Sequence, residues 1–294
     1  MPSLITLKRR ISSIRSTRQI TKAMELVSAS KLRRAQEQAQ ASRAYRQAAY
    51  DLLARLNSMR EVLETTDQAL FRKRPVRTRL YLVITSNSGM AGAYNANVLR
   101  LLAQQAAQDR QAGVKSLVIT IGNRGVQFVR RTSGLDLLAH YPAFSDHPAQ
   151  ADIQPILSSI VSLYSEAVVD EVTVLYTVHR SGIVQEAVRL PLLPARLDSA
   201  AAAVAQHGPA MNFEPDVATV IQHVTVRLIE VQVWQALLES LASEHTMRML
   251  AMKSATDNAG ELIGDYTMEY NTARQAAITQ ELAEITGGAE ALKD

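Results

Sequence analysis

Cysteine is absent from this 294-residue chain. That excludes disulfides, thiol catalysis and cysteine-ligated metal. Aromatic residues are only 5% of the total, low for a large packed core and ordinary for long Ala-rich helices. No run of ~18 or more apolar residues occurs, so no membrane span is expected. The first residues lack the apolar core of a cleavable signal, so secretion by that route is not expected either. Glycine and proline are both missing from Leu4 to Leu70. From Asp216 to Thr286 there is no proline, and the only glycines are Gly260 and Gly264. Breakers absent over such lengths predict two very long helices at the ends of the chain.

The overall charge of +4 conceals an asymmetry. Residues 1–60 hold thirteen Lys/Arg against three acids, and residues 216–294 hold five against twelve. A basic N-terminal helix and an acidic C-terminal one are complementary, and each also offers charge to outside partners. The basic segment has no aromatic before Tyr45, which argues against nucleic acid as its partner.

Apolar residues in the C-terminal segment alternate in steps of four and three: Val217, Ile221, Val224, Leu228, Val231. Trp234, Leu238 and Leu241 follow after a phase break. Ala259, Ile263, Tyr266, Tyr270, Ala273 and Ala277 repeat the alternation, and Ile278, Leu282 and Ile285 continue it one residue out of phase. Such a stripe calls for a helical partner, with stutters at the breaks. Some 70 residues of helix would reach roughly 105 Å, longer than any single globular domain of this size. In the N-terminal segment Leu7, Ile11 and Ile14 open a weaker stripe. Leu32, Ala35, Ala39, Ser42, Ala49, Leu53, Leu56 and Leu63 share one heptad frame, interrupted by Arg46 and Arg60. The two helices are expected to pack antiparallel.

Between them the pattern changes to strands alternating with helices. Arg79–Thr85 and Ser116–Ile121 read as strands. Asn95–Gln108, Gly125–Arg131 and Asp152–Glu166 read as helices. Glu171–Val178 and Val184–Leu190 read as a hairpin about Arg180–Ile183. This predicts a mainly parallel sheet with crossovers and an antiparallel edge. The expected fold class is α/β: a long antiparallel two-helix coiled coil carrying an inserted α/β domain. The expected divisions are 1–70 for the N-terminal helix, 75–195 for the insert, 196–215 for a linker and 216–294 for the C-terminal helix.

Two Gly-rich turns, Ser86–Asn95 and Gly122–Gly125, follow strands where α/β folds hold phosphate. Neither matches G-x-G-x-x-G or G-x-x-x-x-G-K-[ST], so they read as tight turns that need glycine for backbone shape. The six histidines are not spaced for a metal on one helix face, and His245 reads as a packed or surface residue. Asp170 and Glu171 are adjacent on a strand and point to opposite faces. No catalytic constellation, cofactor site or metal site is evident.

The ends carry the most specific signal. Ile14–Arg33 resembles the opening helix of the gamma subunit of F-type ATP synthases. Ser243–Ala259 and Tyr270–Ile285 resemble its closing helix, Phe213–Asp216 its entry into that helix, and Ser86–Asn95 its Gly-rich turn. The resemblance implies a non-catalytic central rotor shaft between a membrane ring of c subunits and a catalytic ring of alpha and beta subunits, beside the epsilon subunit. It implies a peripheral position on the cytoplasmic face of a bacterial cell membrane. It further implies that Arg274, Gln275 and Thr279 contact the beta subunit, with Lys22 and Arg33 offering charge near it. Met24 and Arg248 match positions that couple rotation to catalysis. Ile278, Leu282 and Ile285 would form an apolar bearing tip. The family's turn often has Asp-Arg where this chain has Asn87-Ser88, which puts a charge contact by that turn in question. The alternatives are a non-rotary coiled-coil adaptor or chaperone, and a nucleotide-binding α/β enzyme.

Overall fold

The computed structural model describes residues 3–41, 69–144, 148–182, 184–195 and 217–291. The heptad positions expected at Ser42, Arg46, Ala49, Leu53, Leu56, Arg60 and Leu63, and the linker expected at 196–215, lie outside the described residues. The chain divides into two compact units. One is Met1–Ser28 with Arg248–Asp294, and the other is Ala29–Met247.

The first described helix, α1, spans Leu4–Ala41. Ser3 caps it: the Thr6 amide donates to Ser3 Oγ at 3.3 Å, and the Leu7 amide to the Ser3 carbonyl at 3.1 Å. A capping serine satisfies amides that have no partner within the helix. The N-terminal helix expected to run to residue 70 is thus seen as far as Ala41, and Ala69–Phe71 form a short 3₁₀ turn. The last helix, here α5, is uninterrupted over Val217–Ala291, as the absence of breakers predicts.

In the first unit α1 and α5 pack side by side. Arg10 lies over the Tyr266 ring at 5.7 Å. A Cβ at Gly260 would stand 3.7 Å from Arg18. The Thr256 hydroxyl is 2.8 Å from that of Thr21. Numbers rise on one helix as they fall on the other, so the pair is antiparallel, as expected. Leu7, Ile11, Thr21 and Ser28 are buried on α1, and Met252, Thr256 and Ala259 on α5. The α5 set steps by four and three, and the α1 set by four, ten and seven, each a sum of threes and fours, the spacing of a shared seam. The ion pairs described on α1 run along it, Lys22–Glu25 and Arg33–Glu37, both at 3.1 Å.

The second unit is built on a five-stranded sheet. Its strands are β1 (Thr78–Ile84), β2 (Lys115–Ile121), β3 (Asp136–Tyr141), β4 (Glu171–His179) and β5 (Gln185–Leu193). Their order is β3-β2-β1-β4-β5. All neighbours are parallel except β4 and β5, which form the antiparallel edge. The helices are α2 (Tyr94–Gln111), α3 (Asn123–Val129) and α4 (Gln154–Ser165). Strand side chains alternate between faces. Leu80, Leu82, Ile84, Leu117, Ile119, Val172 and Val174 share one core with Ile156 and Ile160 of α4 and with Ile229, Val233, Ala236 and Leu237 of α5. Tyr81, Val83, Val118 and Leu175 share the other with Val98 and Leu102 of α2 and Val129 of α3.

Two readings need correction. Strand β3 was not expected, because its alternation of half-buried Leu137, Ala139 and Tyr141 with exposed partners is too polar to register as an apolar run. On α5 the stripe through Leu228, Val231 and Leu238 is buried, but so are Ile229, Val233, Ala236 and Leu237, which face the sheet core. From Leu228 to Thr246 the helix is covered on more than one side, which a two-helix stripe does not provide for.

A buried polar network ties the sheet to α2. Asp109, only 2% exposed, bonds Arg79 and accepts from the Tyr81 hydroxyl at 2.6 Å and from Ser116 Oγ at 3.0 Å. Arg79 also donates to Glu171 at 2.9 Å. Burial opposes the Arg79 charge, but the bond to Glu171 and its field outweigh it and hold the guanidinium above its usual range. Burial, then the bond to Asp109, pushes the Tyr81 phenol upward. Asp170 turns the other way from Glu171 and accepts the Arg77 and Thr78 amides at 2.9 and 3.0 Å.

Candidate functional surfaces

The residues expected to meet partners fall into separate groups. At the observed register the start of α1 lies opposite the region of Ala273. Beyond that point α5 has no α1 alongside it, and from Arg274 to Gly288 every residue but Ala277 is exposed. Arg274, Gln275 and Thr279 therefore stand on a helix surface open to solvent. The Thr279 hydroxyl turns back to the Gln275 carbonyl at 3.0 Å. Ile278, Leu282 and Ile285 follow one another at i, i+4 and i+7 and are 48%, 58% and 67% exposed. Three aliphatic side chains in one exposed row form a surface that excludes water and offers no directional bond.

Lys22 and Met24 lie 18 and 20 residues from the start of α1 at Leu4, roughly 27–30 Å away along the axis. They do not join the Arg274 group. Lys22 is exposed and paired with Glu25. Met24 is half-buried. Arg33 is exposed and paired with Glu37. Pairs of this kind are worth only ~0.3–0.5 kcal/mol, so an incoming carboxylate can exchange them at little cost. Arg248 is buried at 9%, a packed cation rather than a surface contact.

The Gly-rich turn after β1 is tied to itself. The Ser86 amide donates to Asn95 Oδ1 at 3.0 Å, and Asn95 Nδ2 donates to Ser86 Oγ at 2.8 Å. Asn87 Oδ1 accepts the Ala143 amide at 3.0 Å and the Asn123 amide at 3.3 Å. The Gly125 amide donates to Thr85 Oγ1 at 2.9 Å, and the Arg124 amide to the Ser86 carbonyl at 3.1 Å. The amides of Ser86, Asn123, Arg124 and Gly125, which could otherwise face a phosphate, are thus engaged within the protein. Asn87 is a structural clasp between the two turns. Among the described residues no group of three or more His, Asp or Glu is placed to hold a metal. Among them, too, no helix is long and apolar enough to cross a membrane.

Three buried hydroxyls had no role in the sequence reading. Tyr94, at the start of α2, bonds Ser240 of α5 at 2.7 Å. Ser243 of α5 donates to the Thr177 carbonyl of β4 at 3.2 Å. The partners are 146 and 66 residues apart, so no local pattern announces them.

The family model described as ATP synthase matches residues 3–292. An ATP synthase gamma chain of Xylella fastidiosa is 40% identical over 97% of this chain and 98% of its own length. The chain belongs to the ATP synthase gamma chain family. A gamma chain of Anaeromyxobacter dehalogenans is 38% identical over the full length of both proteins. The fold is shared with a chain of the OSCP/F1/c-ring part of a Euglena gracilis mitochondrial ATP synthase, at TM-score 0.66, 17% identity and coverage of 98% of this chain and 94% of that one. It is shared also with the central stalk of the Tetrahymena thermophila enzyme, at TM-score 0.59, 23% identity and coverage of 80% and 99%. As a gamma chain, the protein is a non-catalytic stalk subunit of an ATP synthase.

Proposed function

We propose that the chain is the central shaft through which an ATP synthase passes torque between its membrane c ring and its catalytic alpha/beta ring. The observation that supports this most directly is the antiparallel α1–α5 seam of the first unit, with α5 continuing past the start of α1. One charge crossing a membrane supplies only ~2.3 kcal/mol per 100 mV. Several such steps must be gathered for each ATP, so the shaft has to hold twist without melting. A shared seam of interlocking side chains gives that stiffness. The two helices differ in sequence and charge, so the shaft presents a different face to each catalytic site around it.

In this reading the alpha and beta subunits surround the paired helices, and the epsilon subunit and c ring meet the sheet-bearing unit. The working divisions are the N-terminal helical segment 1–70, the α/β insert 75–195, the connection 196–215 and the C-terminal helix 216–294. Arg274 and Gln275 offer directional bonds to a beta-subunit carboxylate or carbonyl, with Thr279 beside them. Lys22 and Arg33 release their weak intrahelical partners to an acidic element of beta, and Met24 and Arg248 hold the packed layers that transmit its push. Ile278, Leu282 and Ile285 turn in an apolar sleeve, where the lack of fixed hydrogen bonds keeps rotation free. The complex sits on the cytoplasmic face of a bacterial cell membrane.

Arg274→Ala tests the contact. Losing a charge-assisted bond made on rotation should lower ATP synthesis by an order of magnitude, since ~1.4 kcal/mol is tenfold. Assembly, read by co-purification of alpha and beta, should be unaffected. Normal synthesis by the variant would remove Arg274 from the coupling path.

A further inference from the structure

The geometry points to Tyr94, Ser240 and Ser243 as a torque-bearing latch that fixes α5 to the sheet of the second unit; they are positioning residues for the rotary function, and the inference rests on the shaft reading above. A parallel sheet whose order reverses between β1 and β4 leaves a crevice at the carboxyl ends of those strands, the place where open α/β sheets hold ligands. Here that crevice receives a helix. The β1–β4 ladder ends at Val83 and Leu175. Beyond it, the Thr177 carbonyl takes the Ser243 hydroxyl at 3.2 Å. From the other side Tyr94, on the helix that follows β1, meets the Ser240 hydroxyl at 2.7 Å. One turn further on, Gly92 has a φ of +52° and no side chain, and a Cβ there would come within 3.7 Å of the Met247 carbonyl and methyl. Tyr94, Ser240 and Ser243 are all buried, the last two with no exposure at all.

Apolar packing resists separation but is non-directional. The close packing of Ile229, Val233, Ala236 and Leu237 in the sheet core already resists rotation of α5, and directional bonds sharpen that resistance. Hydrogen bonds are directional and weaken steeply as their angle is lost. Ser240 and Ser243 are three residues apart, so they project about 60° from one another around the helix. One is held by α2 and the other by β4. A turn of α5 that relieves one bond strains the other. The helix then runs unbroken past Met247, so a twist imposed on the sheet passes into it through these two bonds.

The test uses the intact ATP synthase in sealed vesicles, with Tyr94→Phe, Ser240→Ala, their double variant, and Ser243→Ala. Each removes hydroxyls and keeps the packing. ATP-driven ion uptake per ATP hydrolysed should fall about two-fold or more in each single variant while hydrolysis persists. The double variant should match its single parents, because both lose the same bond. The melting temperature of the complex reports any merely structural effect. A lowered melting temperature with unchanged uptake per ATP in all four variants would overturn the latch. Failure of the unmutated chain to assemble with alpha and beta subunits would overturn the shaft reading instead.

Discussion

Replacing Asp109 by alanine should unfold the sheet-bearing unit at much lower denaturant, with a loss of about 3–5 kcal/mol. The carboxylate is 2% exposed and serves Arg79, Tyr81 and Ser116 together. Buried ion pairs contribute little net stability over an apolar replacement, yet removing one partner leaves the other charged and dry. Arg79 keeps Glu171, but that carboxylate is itself one-fifth exposed and cannot fill the space left on the α2 side. The Tyr81 hydroxyl and Ser116 lose their acceptor at the same time, each at roughly 1–3 kcal/mol for an unsatisfied buried group. Asp109→Asn keeps the shape and one acceptor oxygen, so its loss should be clearly smaller. Urea melts followed by circular dichroism decide the matter. A loss under about 1 kcal/mol for Asp109→Ala would mean that water replaces the carboxylate and that the network is not dry.

Gly122→Ala should be at least as damaging, at more than about 4 kcal/mol, and should deplete soluble protein. Gly122 joins β2 to α3 with φ +92° and ψ 148°, a region that only glycine enters freely. Conformational strain alone costs on the order of 1–3 kcal/mol. An added Cβ would also lie 2.1 Å from the Thr85 carbonyl oxygen and 2.9 Å from that of Ser86. Those atoms are backbone at the end of β1, held by the Thr85 amide bond to the Ile121 carbonyl at 2.8 Å and by the clasp about Asn87. The clash can be relieved only by parting β1 from β2. Gly113→Ala is the control: its φ is +71°, but nothing stands within 4 Å of the added methyl. It should lose only the strain. Equal losses for the two variants would show that crowding at Gly122 is unimportant.

Much of this architecture is legible in the sequence because it is periodic or punctuated. The seam of α5 in the first unit runs through Ala259, Ile263, Tyr266, Tyr270 and Ala273, the residues that the four-three alternation selects, and each is buried or half-buried. The buried strands β1, β2 and β4 are continuous apolar runs, as parallel strands covered on both faces must be. The glycine at 122 marks a turn whose backbone no other residue fits. What escaped is non-local or weakly apolar. Strand β3 is an edge strand with Asp136 and His140 among its outward residues, so nothing in its composition demands burial. The Arg79 network joins residues 30 and 92 positions apart. The sheet-facing side of α5 was hidden by the heptad itself, because Ile229, Val233 and Leu237 fall between the stripe positions. A pattern that explains one partner of a helix says nothing about a second.

The residues proposed to face partners were legible in a different way. Ile278, Leu282 and Ile285 are aliphatic at helical spacing where no α1 residue remains to cover them, and their exposure follows from the unequal reach of the two helices. Arg274 and Gln275 have no such internal signal; their place on the open part of α5 is a fact of register.

The most direct measurement is rotation. The chain has no cysteine, so a single Met90→Cys substitution at an exposed turn residue, 57% accessible, gives one attachment point for a visible probe. With the catalytic ring fixed to a surface through its beta subunits, ATP should drive steady turning of the probe in one direction. ATP hydrolysis by the same complexes with the probe at rest would contradict a shaft.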